Sequence, residues 1–354
     1  MRVGHEFPSP LLRELQAQIA EAHRTGIPLR IVGGDTKQGW WCTAATETLS
    51  FDAYTGIVAY APSELVLTAR AGTRLTEIQA VLAEAGQMLG FEPPLTGLKS
   101  TLGGSIAAAL SGPARPYRGA VRDFVLGVRM VTDTGEIVRF GGQVMKNVAG
   151  YDLSRLATGS WGRLGPLTEI SLRVVPQPAR TLSLRWRCNE QSAWQRMRAL
   201  GRETFPLSAC RYEADTLHVR LSGAAPAIAD ALRKLAPEAS VEGDDDWAAW
   251  RDFTHPFFHS RGTLWRALVP SATPPLQLTD ARCAWDWGGA LRWYVEVRDP
   301  AELREKVGAA GGHVALWPSV TAHAEPAARA LAERVRASFD PRQIFNPPYS
   351  CDES

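Results

Sequence analysis

Small residues dominate one segment of this 354-residue chain, from Pro93 to Gly119. Glycine, serine, alanine and proline recur there with few large side chains between them, so the segment displays backbone rather than side chains. Residues without a bulky Cβ substituent allow another group to approach the main chain closely. Over the whole chain, 31 glycines and 24 prolines suit an α/β or α+β enzyme better than a helical bundle.

A second glycine segment lies about seventy residues earlier. Gly33-Gly34-Asp35-Thr36-Lys37 follows a predicted strand, Leu29 to Val32, and is matched by Thr101-Leu102-Gly103-Gly104-Ser105. Successive main-chain amides form concave nests that bind anionic oxygens, so two such loops could clamp a diphosphate between them. Either loop alone would be interpreted as an ordinary turn, but the pair favours a large cofactor. Two further groups of small residues accompany them: Ser111-Gly112-Pro113 and the series Gly159, Gly162 and Gly165.

Two common nucleotide-binding motifs do not fit the sequence. Gly34 and Gly39 have the outer spacing of a Walker loop, but Trp40 and Trp41 stand where that loop requires lysine and serine or threonine. No GxGxxG sequence opens a predicted βαβ unit. An ATP-binding or nicotinamide-binding protein of the usual kind is therefore disfavoured.

Charge and cysteine content narrow the class of protein further. The net charge is +2, and no run of clustered positive charge predicts a nucleic-acid partner. The five cysteines are scattered and never form CxxC, which argues against a disulfide framework or a cysteine-held cluster, and no metal site is predicted. No apolar run approaches the ~18 residues of a transmembrane segment. The sequence predicts a cytoplasmic protein and leaves peripheral attachment to the inner membrane through a partner open.

Hydrophobic periodicity predicts a mixed organisation of helices and strands. The first element is an amphipathic helix from Pro10 to Thr25. Asp133-Thr134-Gly135 has the composition of a hairpin turn between two strands, Val125 to Val131 and Glu136 to Phe140. After Pro178 the composition changes, and nine of the twelve tryptophans lie past residue 180. Strand-like and helical patterns alternate there, which predicts an α+β second domain.

Several motifs then carry a resemblance to a known family. They are Gly103-Gly104, Ser111-Gly112-Pro113, Arg122 to Val128, Gly141 to Asp152, Gly159 to Gly165, Trp287 to Trp293, Gly311-Gly312-His313 and Phe339 to Pro347. From about residue 27 to 178, and again in the closing tail, the chain resembles the PCMH-type FAD-binding domain of vanillyl-alcohol oxidase flavoproteins. Over nearly its whole length it is similar to the FAD-binding subunit of bacterial glycolate oxidase.

The resemblance implies an α+β fold: a two-subdomain FAD-binding domain over residues 1–178, an α+β cap or interface domain over 179–325, and a tail over 326–354 that packs on the FAD domain. It implies that Gly33, Gly34, Asp35, Thr36 and Lys37 hold the diphosphate of FAD. The remaining cofactor contacts that it implies are Thr101, Leu102, Gly103, Gly104, Ser105, Ser111, Gly112 and Pro113 beside the flavin, Arg122, Asp123 and Val125 near the adenosine and ribityl portions, and Gly159, Gly162, Gly165 and Leu167 beside the adenine.

Many members of the wider family attach FAD covalently through a histidine just after the first glycine pair. Asp35-Thr36 stands at that place in this sequence, so we expect a noncovalent flavin. Oxidation of a 2-hydroxy acid also requires a base and a cationic anchor for the carboxylate. The candidate catalytic residues are Arg292 and His313. His255 is a weaker candidate, because Pro256 separates it from His259 and favours a packing role.

Three functional hypotheses follow from the resemblance. In the first, the chain is the FAD subunit of a glycolate dehydrogenase that oxidises glycolate to glyoxylate, together with a second FAD-containing catalytic subunit and an iron–sulfur subunit that accepts electrons. In the second, it is a stand-alone FAD-dependent oxidase of a hydroxy acid or a sugar lactone. In the third, it retains the FAD fold as a non-catalytic assembly subunit. Since the chain has no cysteine cluster, any iron–sulfur centre must belong to another chain.

Overall fold

The computed structural model describes residues 9–40, 43–142, 152–236, 238–242, 246–278, 281–318 and 326–348. The elements up to residue 176 are α1 (Pro10–Thr25), β1 (Leu29–Val32), β2 (Glu47–Ser50), β3 (Ile57–Ala61), β4 (Val66–Arg70), α2 (Leu75–Glu84), β5 (Gln87–Met88), α3 (Leu102–Ala108), α4 (Arg115–Arg118), β6 (Val125–Val131), β7 (Ile137–Gly141), α5 (Leu153–Ala157), β8 (Leu167–Arg173) and β9 (Val175–Pro176). The later elements are β10 (Arg180–Arg187), α6 (Glu190–Leu200), β11 (Leu207–Glu213), β12 (Thr216–Gly223), α7 (Ala225–Leu235), β13 (Ala239–Glu242), α8 (Asp246–Arg251), β14 (Leu264–Leu268), β15 (Arg282–Asp286), β16 (Leu291–Val295), α9 (Pro300–Ala309), β17 (His313–Trp317) and α10 (Pro326–Phe339).

Helix α1 shows how local sequence signals set the bounds of an element. The Ser9 side chain accepts a hydrogen bond from the Leu12 amide at 3.2 Å, which caps the helix at its start. Gly26 ends the helix in the left-handed conformation, with φ +76°. The apolar face, including Leu15 and Ile19, packs on the parallel pair β1 and β2. The predicted bounds of this helix are confirmed.

Two antiparallel sheets organise the rest of the described chain. The first sheet has five strands in the order β3-β4-β8-β6-β7, and α2 and α3 pack against it over a core that includes Leu67, Ile78, Ile106 and Ile170. The second sheet has eight strands in the order β13-β10-β12-β11-β15-β16-β14-β17. The predicted α+β character is therefore present in both halves of the chain.

The second sheet has two different faces. Residues that alternate along its strands, such as Leu184 and Val219, pack towards α6 and α7, while Tyr294 packs towards α9. The opposite face carries Arg220, whose guanidinium lies 2.6 Å from the carboxylate of Glu92 in the segment after β5. This face therefore contacts the segment that links β5 to α4. Most tryptophans of this half are buried, as expected.

The closing segment of the chain returns to the first strand. After α10, Phe345 forms a parallel bridge with Leu29, and Asn346 accepts a hydrogen bond from the Ile31 amide at 2.8 Å. The buried carboxylate of Asp340 accepts hydrogen bonds from the amides of Ile344 and Phe345 at 2.9 and 2.8 Å, which holds the turn before this contact. Residues 340–346 thus help to build the wall around the end of β1.

Acidic residues stand at the start of two short helices. Asp152 caps α5 by accepting a hydrogen bond from the Arg155 amide at 3.2 Å, and Asp246 is the first residue of α8. Residues 143–151, including Lys146, Asn147 and Tyr151 of the quoted motif, lie outside the described residues. Among the helices that the structure describes, none has both the length and the hydrophobicity needed to span a lipid bilayer.

Candidate functional site

A deep cleft opens at the carboxyl end of β1, and we call it the glycine cleft. The loop from Gly33 to Gly39 forms one wall, and Thr101, Gly103, Gly104 and Ala107 form the facing wall. Trp161, Gly162, Leu167 and Asn346 close the remaining side. The space not filled by protein atoms is about 980 Å³, part of it open to solvent. The two glycine segments that the sequence paired are therefore brought together around one large cleft.

Gly33 and Gly34 are required because other chain segments pack directly against their Cα atoms. A Cβ atom on Gly33 would collide with the Thr101 side chain, and one on Gly34 would collide with the Lys99 carbonyl. The sequence suggested that these glycines leave room for a ligand, whereas the structure uses their small size to dock the loop on residues 99–101. The next residue, Asp35, has a positive φ of 51° and forms an ion pair with Arg30 at 2.9 Å.

Lys37 supplies the positive charge of the glycine cleft. Its side chain is partly buried, and burial lowers the pKa of the ammonium group to about 8. A Cβ atom on Gly104 would lie 3.9 Å from Lys37 Nζ, so the ammonium faces the second glycine segment. Among the residues that the structure describes, Lys37 has no ion pair and no side-chain hydrogen bond. A cation in this position fits an anionic group such as a diphosphate.

The second glycine segment differs from the predicted loop. Leu102 begins α3, and the Thr101 side chain caps this helix by accepting a hydrogen bond from the Gly104 amide at 3.2 Å. A Cβ on Gly103 would lie 2.8 Å from Ala71 Cβ, so this glycine permits close packing on the end of β4. Leu102 and Ser105 are buried beneath the cleft rather than in its wall. Glycine composition indicated a turn, but the cap and tight packing favour a helix.

Other predicted contacts lie away from the glycine cleft. Ser111, Gly112 and Pro113 line a different cavity, described below. Asp123 accepts a hydrogen bond from the Ala120 amide at 2.8 Å and closes a turn at the surface, where Arg122 is also exposed. Three further predicted contacts are not among the residues that line the cleft. Val125 is buried in the core at the start of β6, and Gly159 and Gly165 occupy turns with φ +85° and +132°. Of the adenine-side residues, Gly162 and Leu167 line the cleft.

The second cavity lies between the Ala109–Pro113 segment and the second sheet, and we call it the tryptophan cavity. Its empty volume is about 410 Å³, and Trp250, Trp287, Trp293 and Trp317 contribute to its walls. Trp287 Nε1 donates a hydrogen bond to the Gly112 carbonyl at 3.1 Å, which fixes the segment on the sheet. Three charged residues, Arg251, Arg266 and Asp286, also line this cavity, and Arg251 is paired with Asp252.

Asp286 is a buried carboxyl group in the wall of the tryptophan cavity. Its two oxygens accept hydrogen bonds from the Trp287 amide at 2.7 Å and from Trp250 Nε1 at 3.0 Å. Burial raises the pKa of this carboxyl to about 6. Neither Asp286 nor Arg266 was singled out from the sequence. The signal that could have found Arg266 is its position in Leu264-Trp265-Arg266-Ala267-Leu268, where a charged residue interrupts an apolar strand.

The two predicted catalytic residues do not share a site. In the antiparallel pairs of the second sheet, Arg292 is opposite Ala267, whereas His313 is opposite Leu268. Directly opposed residues project to the same face and successive residues to opposite faces, so the two side chains project to opposite faces of the sheet. His313 is exposed at the edge strand β17. One site cannot use both residues.

Arg292 has a structural environment. Its guanidinium donates hydrogen bonds to the carbonyls of Gly289 at 3.1 Å and Pro274 at 2.8 Å, and also to the Thr273 carbonyl. The side chain is fully buried and stacks on Trp285. These contacts hold the loop before β15. They give Arg292 a structural role, which differs from the predicted role as an anchor for a substrate carboxylate.

His255 also has partners within the fold. Its Nε2 lies 3.3 Å from Asp246, and its Nδ1 accepts a hydrogen bond from the Phe257 amide at 3.2 Å. The ring packs on Trp250 at a centroid distance of 5.2 Å. These contacts agree with the packing role expected for this residue.

Comparison with known proteins gives the class first. The profile of a family described as FAD binding domain matches residues 12–141, which includes the whole Gly33–Gly39 wall and the facing α3. With the cation and glycine walls of the cleft, the fold and the site define an FAD-binding flavoprotein.

Sequence similarity over almost the whole chain defines the family. Over 336 residues it is 41% identical to glycolate oxidase subunit GlcE of Escherichia coli (strain K12), which covers 94% of this chain and 95% of that protein. The chain belongs to the GlcE family of glycolate oxidase subunits. The predicted family, the FAD cofactor and the class of FAD-dependent oxidoreductase are confirmed.

Two other relatives share part of the sequence or the fold alone. Glycolate oxidase subunit GlcD of Bacillus subtilis (strain 168) is 34% identical over 161 residues, which cover 45% of this chain and 34% of that protein. A solved structure of alkyldihydroxyacetonephosphate synthase has a TM-score of 0.68 at 16% identity and covers 95% of this chain and 75% of its own. The predicted α+β FAD-binding fold is confirmed by this likeness.

Proposed function

We propose that this chain is the FAD-binding subunit of a glycolate oxidase and takes part in the oxidation of a small 2-hydroxy acid, glycolate to glyoxylate. The observation that carries the proposal is the unpartnered Lys37 ammonium, in the described chain, inside a cleft walled by two glycine segments. The choice of glycolate as the substrate is based on the names of two relatives, the glycolate oxidase subunits GlcE and GlcD. When bound, the flavin accepts two electrons from the substrate and can release them singly.

Lys37 and the Gly33–Gly39 wall would hold the diphosphate of FAD, because a cation and main-chain N–H groups are the donors that phosphate oxygens require. Gly104, whose missing side chain leaves space beside Lys37, would keep this wall open to the cofactor. Asp35 stands at the place where many members of the wider flavoprotein family carry a flavin-linking histidine, and it is paired with Arg30. We therefore propose that FAD is bound without a covalent bond.

The partners that we propose are a second FAD-containing subunit of the GlcD kind and an iron–sulfur subunit. The name of the E. coli relative supports assembly, since that protein is itself a subunit. The five cysteines of this chain are dispersed, so a chain with a cysteine cluster must supply the iron–sulfur acceptor. We further propose that the chain divides near residues 178 and 325, and that the complex attaches peripherally to the inner membrane through its partners.

The test begins with the purified full chain. Its absorption spectrum and the flavin released into acid supernatant report cofactor content and the type of attachment. Anaerobic glycolate is then added to the chain alone and to the chain assembled with its GlcD-type companion. A yellow protein that is reduced only in the complex supports the proposal.

Two other outcomes favour the competing hypotheses. Reduction of the isolated chain by glycolate supports a stand-alone oxidase. A protein that takes up no FAD at any concentration supports an assembly subunit and contradicts the proposal. Flavin that stays with the precipitated protein in acid contradicts noncovalent binding alone.

A further inference from the structure

The tryptophan cavity has a polar centre within largely apolar walls. Arg266 lies on β14 directly opposite Trp293 of β16, so both side chains project to the face that contacts the Ala109–Pro113 segment. The guanidinium carbon lies 5.6, 5.9 and 5.5 Å from the ring centroids of Trp287, Trp293 and Trp317. Three indole rings therefore lie around this half-buried cation.

Among the described residues, Arg266 has no ion-pair partner. In the part of the chain that the structure describes, its guanidinium forms no ion pair and no hydrogen bond, although it has five N–H groups. Asp286 lines the same cavity and its charge acts to raise the pKa of Arg266, but its oxygens accept their hydrogen bonds from the Trp287 amide and Trp250 Nε1 rather than from Arg266. Burial lowers the pKa of Arg266 to about 10, as expected for a cation whose charge is poorly compensated.

A second arginine increases this excess of positive charge. The guanidinium of Arg115, in α4, lies 4.3 Å from the ring centroid of Trp287, the same indole that Arg266 contacts. The repulsion between the two arginines also contributes to the lowered pKa of Arg266. An anion that enters the cavity would reduce this repulsion and fill the free donors of Arg266.

Arg292 provides an internal comparison one strand away. It pairs with Ala267, the residue after Arg266, and so projects to the opposite face of the sheet. There three of its five N–H groups donate hydrogen bonds to backbone carbonyls. A buried arginine with a structural role in this sheet thus finds acceptors within the protein. Arg266 does not, and its free donors face a cavity.

We propose that Arg266 binds the carboxylate of a small 2-hydroxy acid in the tryptophan cavity and sets the selectivity of this site for acids over neutral alcohols. This inference rests on the proposed function, because it assigns the substrate class to a cavity of the FAD-binding subunit itself. The fork of guanidinium N–H groups matches the two oxygens of a carboxylate. The indole walls lower the local dielectric around that ion pair and so strengthen it relative to one at the open surface.

The test uses the FAD-loaded full chain and oxalate, a small carboxylate that has no alcohol carbon to oxidise. Oxalate binding is measured by isothermal titration calorimetry, and glycolamide, the neutral amide of glycolate, serves as the matched ligand without charge. Arg266→Gln should weaken oxalate binding by about 30-fold, because a hydrogen-bonded charge is lost, while glycolamide binding changes little. Arg266→Lys should weaken it several-fold, since lysine keeps the charge but lacks the fork.

Arg304→Gln is the matched control. This exposed arginine also stacks on a tryptophan, Trp265, at 5.0 Å, but on the face of the sheet covered by α9. Its oxalate affinity should equal that of the unmodified chain. Flavin content and melting temperature are measured for every variant. If Arg266→Gln fails to fold, the oxalate affinity of the Arg266→Lys variant tests the inference.

Two results would overturn the inference: no oxalate binding by the FAD-loaded chain, or unchanged affinity in a folded, FAD-loaded Arg266 variant. Either can occur while glycolate still reduces the flavin of the assembled complex, which would leave the proposed function intact. Conversely, loss of the proposed function would show as absent FAD or as a flavin that glycolate never reduces in the complex.

Discussion

Lys37 shows how much one side chain can contribute to cofactor binding. Its ammonium group lies in the wall of the glycine cleft, and the one acid of that wall among the described residues, Asp35, is paired with Arg30 instead. Removing a cation from water is costly unless an anion replaces the lost hydration. The sequence placed Lys37 in a candidate loop. Only the structure showed that its ammonium group points towards Gly104 of the second glycine segment.

The first prediction concerns the charge of Lys37. Lys37→Gln should weaken FAD binding by roughly 10- to 100-fold, since a charge-assisted contact to the diphosphate is lost. The affinity of the unmodified chain should hold below about pH 8 and fall above it, because the pKa of free Lys37 is about 8 and a bound anion raises it. Fluorescence titration of the apoprotein with FAD at several pH values measures both effects.

The control for this prediction is Lys234→Gln. Lys234 is exposed on α7 and paired with Asp230, away from both cavities, so its substitution should leave FAD affinity and its pH profile unchanged. A Lys37→Gln variant that still loses affinity above pH 8 would show that another group causes the dependence.

Helix α3 is the element on which the glycine cleft depends. Its first turn is capped by Thr101, and its glycines allow two approaches: Gly103 packs on Ala71, and Gly104 faces Lys37. Glycine lowers helix propensity by about 1 kcal/mol relative to alanine, so this helix forms through its cap and its packing rather than through propensity. The same residues explain why the sequence suggested a loop.

The second prediction tests the open space beside α3. Gly104→Leu should abolish FAD retention, because the added side chain would project towards Lys37 Nζ, 3.9 Å from the new Cβ. Flavin content per chain after purification, by absorption, is the measurement. Gly308→Leu is the control, since a Cβ at this position of α9 meets no atom within 4 Å. Full flavin occupancy in the Gly104→Leu variant would contradict our location of the cofactor.

At the scale of the whole molecule, the tryptophan cavity exists because two regions of the chain meet. Glu92, in the segment after β5, bridges them by accepting hydrogen bonds from Arg220 of the second sheet at 2.6 Å and from the Ala114 amide at 3.2 Å. Asp252 adds a second link by accepting one from the Leu95 amide at 2.8 Å. These polar contacts fix the position of Gly112 relative to Trp287.

The third prediction tests this coupling. Arg220→Met should lower the free energy of unfolding by roughly 3 kcal/mol, because it leaves the buried Glu92 carboxylate without its partner. Chemical denaturation followed by tryptophan fluorescence measures the loss. The double variant Arg220→Met with Glu92→Leu should recover much of it, since no unpaired charge remains.

The control for this coupling is Arg233→Met. Arg233 forms an exposed ion pair with Asp230 on α7, and such pairs contribute about 0–1 kcal/mol. An equal effect of the Arg220 and Arg233 substitutions would mean that the Glu92 contact does not hold the two regions together.

Local order along the chain was enough to predict many elements and the FAD class. The bounds of α1, β1 and β6 follow from caps, glycine stops and periodic apolar residues, which act within a few positions of each other. The paired glycine segments and the family motifs indicated the cofactor for the same reason: each is a short, contiguous pattern.

Local sequence patterns could not predict which residues line the two cavities. Arg292 and Arg266 have similar apolar neighbours in sequence, yet strand register directs one to backbone carbonyls and the other into the tryptophan cavity. Register and the docking of the second sheet depend on contacts between residues far apart in the chain, such as Arg220 with Glu92. Because a shift of one residue in a strand exchanges its two faces, the choice between the two arginines was made by tertiary packing.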